Sequence, residues 1–386
     1  MKILLISVNT FPAEFAYPLG MSVVAKVLSN AGYEVKQFDF FASGKSYDKF
    51  KDTFSNFLPH IITISIRNSM KESIEIAKNF VNIIRLKNPQ IKIILGGTGF
   101  TVNSDECFNK IDADYGFVGQ AEDGFVEFIE NIINNKQKEK IFYSKNDNEL
   151  SGALYDIDLL KFYNKYPWAI GISTKRGCKY RCLYCQYKMF DGRNIKYRNI
   201  DSVISDIQFL KKQNIENIAF TDSIFNDDSN NHIKLLDKML KKELNIKWYA
   251  FLRPKLLNDY SLNLMKKTGL CAVNIAIDAS TDETLIGMQK DFSWQDVEQT
   301  LELLKKYDIY INANVIFGGP NETENTLKEG IQNIKKIEHN VNEFDIKIFL
   351  GREQYNPTIS TELIEEYLNK SFGKKDWYLP LSKEKK

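Results

Sequence analysis

Histidine is scarce and the charge balance is nearly even in this chain of 386 residues. The three histidines, His60, His232 and His339, lie far apart in the sequence and far from the cysteine-rich stretch. The formal net charge of +2 gives no strong electrostatic basis for binding nucleic acid or an anionic membrane surface. No run of about 18 apolar residues is present, so no transmembrane helix is expected.

A secretion signal is also lacking. The apolar start, Met1–Val8, is short and leads into Asn9 and Thr10, which is typical of a first β-strand rather than of a signal peptide. Five cysteines, three of them clustered, fit a reducing compartment. We therefore expect a cytoplasmic protein without membrane or nucleic-acid partners.

The first part of the chain alternates strand-like and helix-like segments. Strands are predicted at 3–8, 35–40, 61–66, 91–95 and 115–118, and helices at 19–31, 73–87 and 122–134. This alternation predicts an α/β domain over residues 1–140 with a doubly wound parallel sheet. The polar stretch that follows indicates a linker over residues 141–168.

Residues 169–352 repeat the pattern of strand then helix about six times. Strands are predicted near 169–174, 217–221, 247–252, 272–278, 310–317 and 345–350. This repeat predicts a partial (β/α)6 barrel, followed by a short tail at 353–386. In both kinds of α/β fold, ligands bind at the carboxyl ends of the parallel strands.

The most informative motif is Cys178-x3-Cys182-x2-Cys185, directly after a predicted strand. Three thiolates can ligate three irons of a [4Fe–4S] cube and leave the fourth iron open for a small molecule. A structural zinc site would need a fourth Cys or His ligand nearby, and a disulfide would need an oxidising compartment. Cys107 and Cys271 have no neighbours that suit a second cluster, and Cys271 is expected to be a packing residue.

The cysteine spacing, with Tyr184 before the last cysteine, resembles the signature of the radical S-adenosylmethionine (radical SAM) superfamily. The resemblance implies that S-adenosylmethionine chelates the open iron. An electron from the cluster then breaks a C–S bond and yields a 5′-deoxyadenosyl radical. It also implies an external electron donor such as flavodoxin or ferredoxin.

Four motifs of the first part resemble the N-terminal domain of cobalamin-binding radical SAM enzymes. They are YPLG (Tyr17–Gly20), SIRN (Ser65–Asn68), GGTGF (Gly96–Phe100) and DYGFVGQAED (Asp114–Asp123). By itself GGTGF is equally well read as a simple turn after a strand. The resemblance implies cobalamin contacts from residues at or near the strand ends: Asn9, Gly20, Ser65, Arg67, Asn68, Gly96, Gly97, Thr98, Gly99, Phe100, Gly119, Gln120 and Glu122.

One family-like feature is missing from the first strand end. The D-x-H-x-x-G motif that carries a cobalt-ligating histidine in other cobalamin folds is absent, and His60 is predicted at the opposite edge of the sheet. A guanidinium cannot readily donate to a metal. Two roles therefore stay open for Arg67: a place against the lower face of cobalt, or a surface or nucleotide-phosphate contact.

The strand ends after the cysteine loop resemble further motifs of the same family. Asp222 (or a helix N-cap), Arg253 (on a ligand carboxylate or in a salt bridge) and Asp278, which stands where relatives carry Glu, follow three successive strands. The Gly318–Gly319 pair is read either as a backbone contact to adenine or as a tight turn. The resemblance implies a set of S-adenosylmethionine contacts: Tyr184, Asp222, Arg253, Asp278, Ser280, Lys290, Gly318, Gly319 and Arg352.

These resemblances imply a cobalamin-dependent C-methyltransferase that acts on a small-molecule biosynthetic intermediate. Two alternatives remain at this stage. One is a radical SAM rearrangement or cyclisation with a changed or lost role for cobalamin, and the other is an iron–sulfur protein without turnover. No acid or base residue is predicted.

Overall fold

The computed structural model describes residues 1–8, 15–67, 71–122, 124–145, 149–349, 359–375 and 377. The predicted site residues Asn9, Asn68 and Arg352 lie outside these ranges. The chain forms two compact units: Met1–Gly177 with Gln186–Ile218, and Cys178–Cys185 with Ala219–Lys386. The cysteine loop therefore belongs to the second unit.

The first unit holds nine strands and nine helices in its described part. The strands are β1 (Lys2–Ser7), β2 (Glu34–Asp39), β3 (Ile61–Ser65), β4 (Lys92–Gly96), β5 (Tyr115–Val118), β6 (Ile141–Tyr143), β7 (Gly171–Ile172), β8 (Lys175–Arg176) and β9 (Lys196–Tyr197). The helices are α1 (Leu19–Asn30), α2 (Tyr47–Phe57), α3 (Lys71–Lys87), α4 (Thr98–Val102), α5 (Ser104–Lys110), α6 (Phe125–Ile133), α7 (Ile157–Tyr163), α8 (Tyr187–Phe190) and α9 (Ile200–Lys212).

Six strands of this unit form a sheet in the order β2-β1-β3-β4-β5-β6, and all its pairs are parallel. The central strand β1 is apolar on both faces, and Ile3, Leu4 and Ile6 are fully buried. The chain changes direction across the sheet between β1 and β3, as in doubly wound folds. The predicted doubly wound sheet is confirmed.

Three elements that were not predicted in this unit are β6, α7 and α2. The segment read as a linker contains β6, which pairs with β5 through Gly116 and Ile141, and also helix α7. A three-residue strand carries too little pattern to stand out from its polar surroundings. Helix α2 carries aromatic residues at helical spacing, with Phe50 and Phe54 buried one turn apart, and the sequence analysis did not recognise this pattern.

The second unit continues with strands β10 (Asn217–Phe220), β11 (Lys247–Leu252), β12 (Leu270–Ala276), β13 (Tyr310–Phe317) and β14 (Glu343–Ile348). Its helices are α10 (Asn231–Lys241), α11 (Asp259–Lys267), α12 (Asp282–Gly287), α13 (Trp294–Lys305), α14 (Glu324–Ile337), a 3₁₀ turn (Glu338–Asn340) and α15 (Thr361–Phe372). The sheet order is β14-β13-β12-β11-β10-β7, and the boundary between the units passes through β10. Each of β10 to β14 is followed by a helix, and α9 lies between β7 and β10, which agrees with the predicted partial (β/α)6 arrangement.

Capping boxes fix where four consecutive helices of this unit begin. In α11, α12, α13 and α14 the N-cap side chain accepts a hydrogen bond from the backbone of the third helical residue, which returns one. The N-caps are Asn258, Thr281, Ser293 and Thr323. Each helix thus starts at a defined distance from the end of the preceding strand.

Gly269 provides a test of backbone packing in the second unit. Its φ is +106°, and a Cβ would lie 2.0 Å from the carbonyl oxygen of Ile246. Gly32 also has a positive φ, of +85°, but a Cβ there would meet nothing within 4 Å. We expect Gly32→Ala to lower the free energy of unfolding by about 1 kcal/mol, and Gly269→Ala to lower it by at least ~2 kcal/mol more because backbone must move.

Urea unfolding followed by far-ultraviolet circular dichroism would measure both variants beside the wild type. Equal midpoints for the two variants would contradict the close approach of Gly269 to Ile246.

Candidate active site

The cysteine loop lies at the end of β8 and packs within the second unit. Cys178, Cys182 and Cys185 are partly exposed free thiols. The backbone N–H of Cys185 donates to the carbonyl of Cys182 at 3.2 Å, and that of Leu183 donates to the carbonyl of Met288 at 3.2 Å. The loop is thereby tied to the residue that follows α12.

The donor set of the loop suits an iron–sulfur cluster. Cys178, Cys182 and Cys185 are partly exposed, and no disulfide joins them. In a [4Fe–4S] cube each cysteine ligates a different iron, so three thiolates hold three irons. The three cysteines would therefore hold a cube with one iron open.

A buried polar cluster lies beside the loop. The phenol of Tyr184 donates to Asp278 Oδ2, and Lys290 Nζ donates to the same oxygen at 2.5 Å and to the phenol at 3.1 Å. The side chains of Lys290 and Asp278 are only 4% and 5% exposed. We call Tyr184, Asp278 and Lys290 the loop clamp, because it joins the cysteine loop to the ends of β12 and α12.

Electrostatics explain the protonation of the loop clamp. Burial lowers the pKa of Lys290, but the neighbouring Asp278 and Cys182 raise this pKa more, so the lysine stays a cation. Burial, and then Asp278, raise the pKa of Tyr184 well above its usual range, so the phenol keeps its proton.

The Asp in place of the family's Glu has a structural reason. Asp278 has a φ of +59°, in the left-handed region that Asp adopts more readily than most residues. Its backbone N–H donates to the carbonyl of Asn314 at 2.9 Å, which holds this turn at the end of β12. The shorter carboxylate reaches both Tyr184 and Lys290.

Arg253 adopts the salt-bridge role of the two that were predicted. Its guanidinium, on a residue 5% exposed, pairs with Asp291 and lies 3.9 Å from the centre of the Tyr180 ring. Arg253 thus fixes a second residue of the cysteine loop. Its backbone N–H donates at 3.0 Å to the side chain of Asn226, which sequence reasoning did not assign to the site. Asn226 is fully buried and also donates to the carbonyl of Lys255 at 2.8 Å.

Asp222 and Ser280 are both buried at strand ends of the second unit. The N-cap alternative for Asp222 is wrong, because the next helix, α10, begins at Asn231. Ser280 faces helix α14: its carbonyl accepts from Asn333 at 2.9 Å, and a Cβ on Gly330 would lie 2.0 Å from its Oγ.

The Gly318–Gly319 turn is held by Glu322, which sequence reasoning did not single out. Gly318 has a φ of +83°, and its N–H donates to Glu322 Oε2 at 3.1 Å. Glu322 is fully buried, and burial raises the pKa of its carboxyl group. The helix after the turn is capped by Thr323.

The loops after β3 and β4 join at the carboxyl edge of the first unit's sheet. Gly97, with a φ of +95°, would place a Cβ 2.6 Å from the carbonyl oxygen of Ile66 and 2.8 Å from Ser65 Oγ. The N–H of Ile66 donates to the carbonyl of Gly96 at 2.8 Å, and Thr98 Oγ1 donates to the carbonyl of Arg67 at 2.7 Å. The glycines thus let two loops lie backbone to backbone.

Three other residues predicted to bind cobalamin make different contacts within the first unit. Gly119, with a φ of +101°, donates to Thr101 Oγ1 at 3.2 Å at the same edge of the sheet, and the N–H of the buried Gln120 donates to Ser144 Oγ at 3.0 Å. Glu122 is bonded to Arg176 at 2.9 Å inside the unit.

Three further residues predicted to contact cobalamin differ in how deeply they are buried. Phe100 is a fully buried core residue whose ring fills the space beside Gly116, Gly20 is exposed near the start of α1, and Arg67 is exposed after β3. His60 lies at the start of β3, where its Nδ1 accepts from the N–H of Lys2 at 3.1 Å. Its predicted place at the amino edge is confirmed.

Comparison with known proteins agrees with both units. The model of the Radical SAM superfamily matches residues 172–334, and the model of the B12 binding domain matches residues 8–129. These matches and the fold define a radical SAM protein with a B12 binding domain.

Two curated methyltransferases are similar to the chain. The uncharacterized methyltransferase PH0819 of Pyrococcus horikoshii is 22% identical over 350 residues, which is 85% of this chain and 75% of that protein. The tryptophan 2-C-methyltransferase of Streptomyces laurentii is 24% identical over 214 residues, which is 52% of this chain and 36% of that protein.

A solved structure has a similar fold over most of the chain. It is the radical S-adenosylmethionine methyltransferase TsrM of Kitasatospora setae, with a TM-score of 0.79 and 20% identity over 92% of this chain and 76% of that one. The chain belongs to the radical SAM enzymes that carry a cobalamin-binding domain, and its cofactors are a [4Fe–4S] cluster, S-adenosylmethionine and cobalamin. None of the helices in the described ranges has the length and apolar character needed to cross a membrane.

The loop clamp can be tested by removing one charge. Asp278→Asn preserves the shape and the left-handed backbone but leaves the Lys290 cation buried without its carboxylate. We expect it to lower the free energy of unfolding by about 3–5 kcal/mol. The control is Asp228→Asn, which breaks the exposed pair with Lys179 and should change this free energy by less than ~1 kcal/mol.

Urea unfolding of the two variants under anaerobic conditions gives both values. Comparable losses would mean that the loop clamp contributes no more than a surface pair.

Proposed function

We propose that this enzyme transfers a methyl group from S-adenosylmethionine, by way of cobalamin, to a carbon atom of a small molecule. The observation that carries the proposal is that one chain holds both a three-cysteine loop secured by the loop clamp and a glycine-lined sheet edge within the region that matches a B12 binding domain. A chain with both features can bind a radical source and a methyl carrier.

The cysteine loop would hold the cluster through Cys178, Cys182 and Cys185. When bound, the cluster supplies the electron that cleaves S-adenosylmethionine, and cobalamin carries the methyl group. Lys290 places a positive charge beside Cys182, and Asp278 and Tyr184 keep that lysine in place. The pair formed by Arg253 and Tyr180 holds the other side of the loop.

The sheet edge of the first unit supports cobalamin binding through its lack of side chains. At Gly97 and Gly119 the backbone itself forms the surface, so a flat macrocycle can approach closely. No histidine precedes His60 in the sequence, and His60 lies at the amino edge. Arg67 is exposed at the carboxyl edge and is our candidate for the residue below cobalt.

The names of several similar methyltransferases support a small-molecule substrate. Similar proteins are named for tryptophan, for cytidylyl-2-hydroxyethylphosphonate and for a hopanoid. The formal net charge of +2 gives no strong electrostatic basis for binding nucleic acid. We further propose a flavodoxin or ferredoxin as the electron donor, and a cytoplasmic location, because the cluster thiolates need a reducing compartment.

Cofactor content and label transfer test the proposal together. After anaerobic expression with cobalamin, we expect about four irons and one cobalt per chain. Cys182→Ala should lose most of the iron and all methyl transfer, whereas Cys271→Ala should keep both, because the thiol of Cys271 donates to the backbone carbonyls of Trp248 and Gly269. Iron and cobalt are measured by elemental analysis, and methyl transfer by S-adenosylmethionine with a labelled methyl group.

Product without label, together with 5′-deoxyadenosine, would favour the non-methylating alternative. Iron without cobalt would mean that the B12 binding domain has lost its cofactor.

Arg67 is tested by the corrinoid spectrum. If Arg67 lies beneath cobalt, Arg67→His places an imidazole within reach of the metal, and the visible absorption bands should shift. Lys51→His, on the exposed side of α2, is the matched control and should leave the spectrum as it is. An unchanged spectrum in Arg67→His would support the surface or phosphate contact instead.

A further inference from the structure

The sheet of the second unit has a helix-facing side and an inner side, and burial identifies them. Val315 and Phe317 of β13 pack in one core cluster with Ile346 and Ile348 of β14 and with residues of α14 and α15. Side chains alternate along a strand, so the residues between these face the inner side. The inner residues of the two strands are Asn312, Asn314, Ile316, Glu343, Asp345 and Lys347.

Strand register brings carboxamides together on this inner side. Phe251 of β11 pairs with Asn274 of β12, and Asn274 pairs with Asn312 of β13, so these three residues lie in one layer. Asn314 lies in the next layer towards the carboxyl edge, and its Oδ1 accepts from Asn274 Nδ2 at 3.2 Å. We call Asn274, Asn312 and Asn314 the carboxamide row.

The row contains acceptors that the protein leaves unused. Asn274 is 6% exposed, yet neither its Oδ1 nor that of Asn312 has a hydrogen-bond partner among the described residues. Buried polar atoms are nearly always paired, because leaving one unpaired destabilises the fold. Two such oxygens in one layer point to a ligand that supplies the donors.

The row lies deeper in the sheet than a strand end that contacts the cysteine loop. Arg253 follows Phe251 by two residues, just beyond the end of β11, and its guanidinium lies against Tyr180 of the cysteine loop. At about 3.3 Å per residue, Phe251 lies roughly 7 Å further into the sheet than Arg253. The rings of Tyr249 and Phe251 meet edge to face at 5.8 Å and form an aromatic border beside the row.

Charged residues on this inner side lie on β14. Lys347 pairs with Asp345 at 3.0 Å, two residues apart. Glu343, at the start of the strand, accepts a hydrogen bond from the phenol of Tyr310 at 3.4 Å. The carboxamide row itself offers hydrogen-bond acceptors, with the aromatic rings of β11 beside it.

We propose that the carboxamide row and Phe251 form the substrate wall, and that they select a small molecule with N–H or O–H donors on a flat ring. This inference rests on the proposed function and names its substrate class. An apolar polycyclic lipid would leave both carboxamide oxygens unpaired and is rejected by the same wall.

The first test measures stability without any ligand. Asn312→Leu removes an unused acceptor at similar volume, so the thermal midpoint should stay or rise. Asn274→Leu also removes the hydrogen bond to Asn314 and should change the midpoint little. Asn226→Leu is the control, because Asn226 is buried with all its bonds made, and its midpoint should fall clearly. A fall for Asn312→Leu as large as that for Asn226→Leu would assign the row to the structure and overturn the proposal.

The second test measures binding to the holoenzyme by equilibrium dialysis with three probes. They are L-tryptophan and cytidine, which are flat and carry N–H donors, and a hopanoid, which is apolar. We expect at least one of the flat probes to bind and the hopanoid not to bind. Asn312→Leu should weaken the binding of that flat probe roughly 10- to 100-fold. Binding of the hopanoid alone, or of none of the three, would overturn the proposal.

Labelled methyl transfer in the same samples separates the two proposals. A flat probe that binds through the row without gaining label would uphold the wall and contradict methylation of that probe class. A labelled hopanoid would uphold methyl transfer and overturn the wall.

Discussion

A buried ion pair between Lys290 and Asp278 is the interaction on which the proposed cluster site depends. The pair joins the cysteine loop, which has almost no regular structure, to the end of β12. The connection is made by Tyr184 of the loop, whose phenol donates to the same carboxylate oxygen of Asp278 that Lys290 contacts. Burying these charges is costly unless they are paired, so the loop has one favourable position. The second attachment, Arg253 against Tyr180, restrains the other side of the same loop. The three thiols are therefore held by residues that lie far away in the sequence.

The two units solve the problem of ligand access in different ways. At the sheet edge of the first unit, glycines such as Gly97 bring loops together by omitting side chains, and the backbone forms the surface. At the strand ends of the second unit, buried charged side chains organise the site, and Gly318 serves a turn that Glu322 holds. A macrocycle needs a smooth surface, whereas a cluster loop needs fixed anchors, so the two devices suit the two cofactors.

On the inner side of the second sheet, the carboxamides of the proposed substrate wall lower the stability of the fold. Apolar residues at Asn274 and Asn312 would leave no unpaired oxygen and would fit the buried surroundings. Retaining carboxamides there is the pattern expected where binding, and not folding, decides the residue. The polar layer lies deeper in the sheet than the strand end where Arg253 contacts the cysteine loop.

The sequence alone determined the fold class and most strand ends, and it predicts the three cluster cysteines, because each depends on local pattern: periodicity, spacing and glycine after a strand. Strands β5, β11 and β13 have the predicted bounds. Tertiary structure decided the rest. It placed Phe100 in the core, paired Arg253 with Asp291, and assigned Asn226 and Glu322 to the site, because burial and partners depend on residues distant in the chain. The carboxamide row was beyond sequence reasoning for the same reason: only strand register brings Asn274 beside Asn312 and leaves their oxygens facing inward.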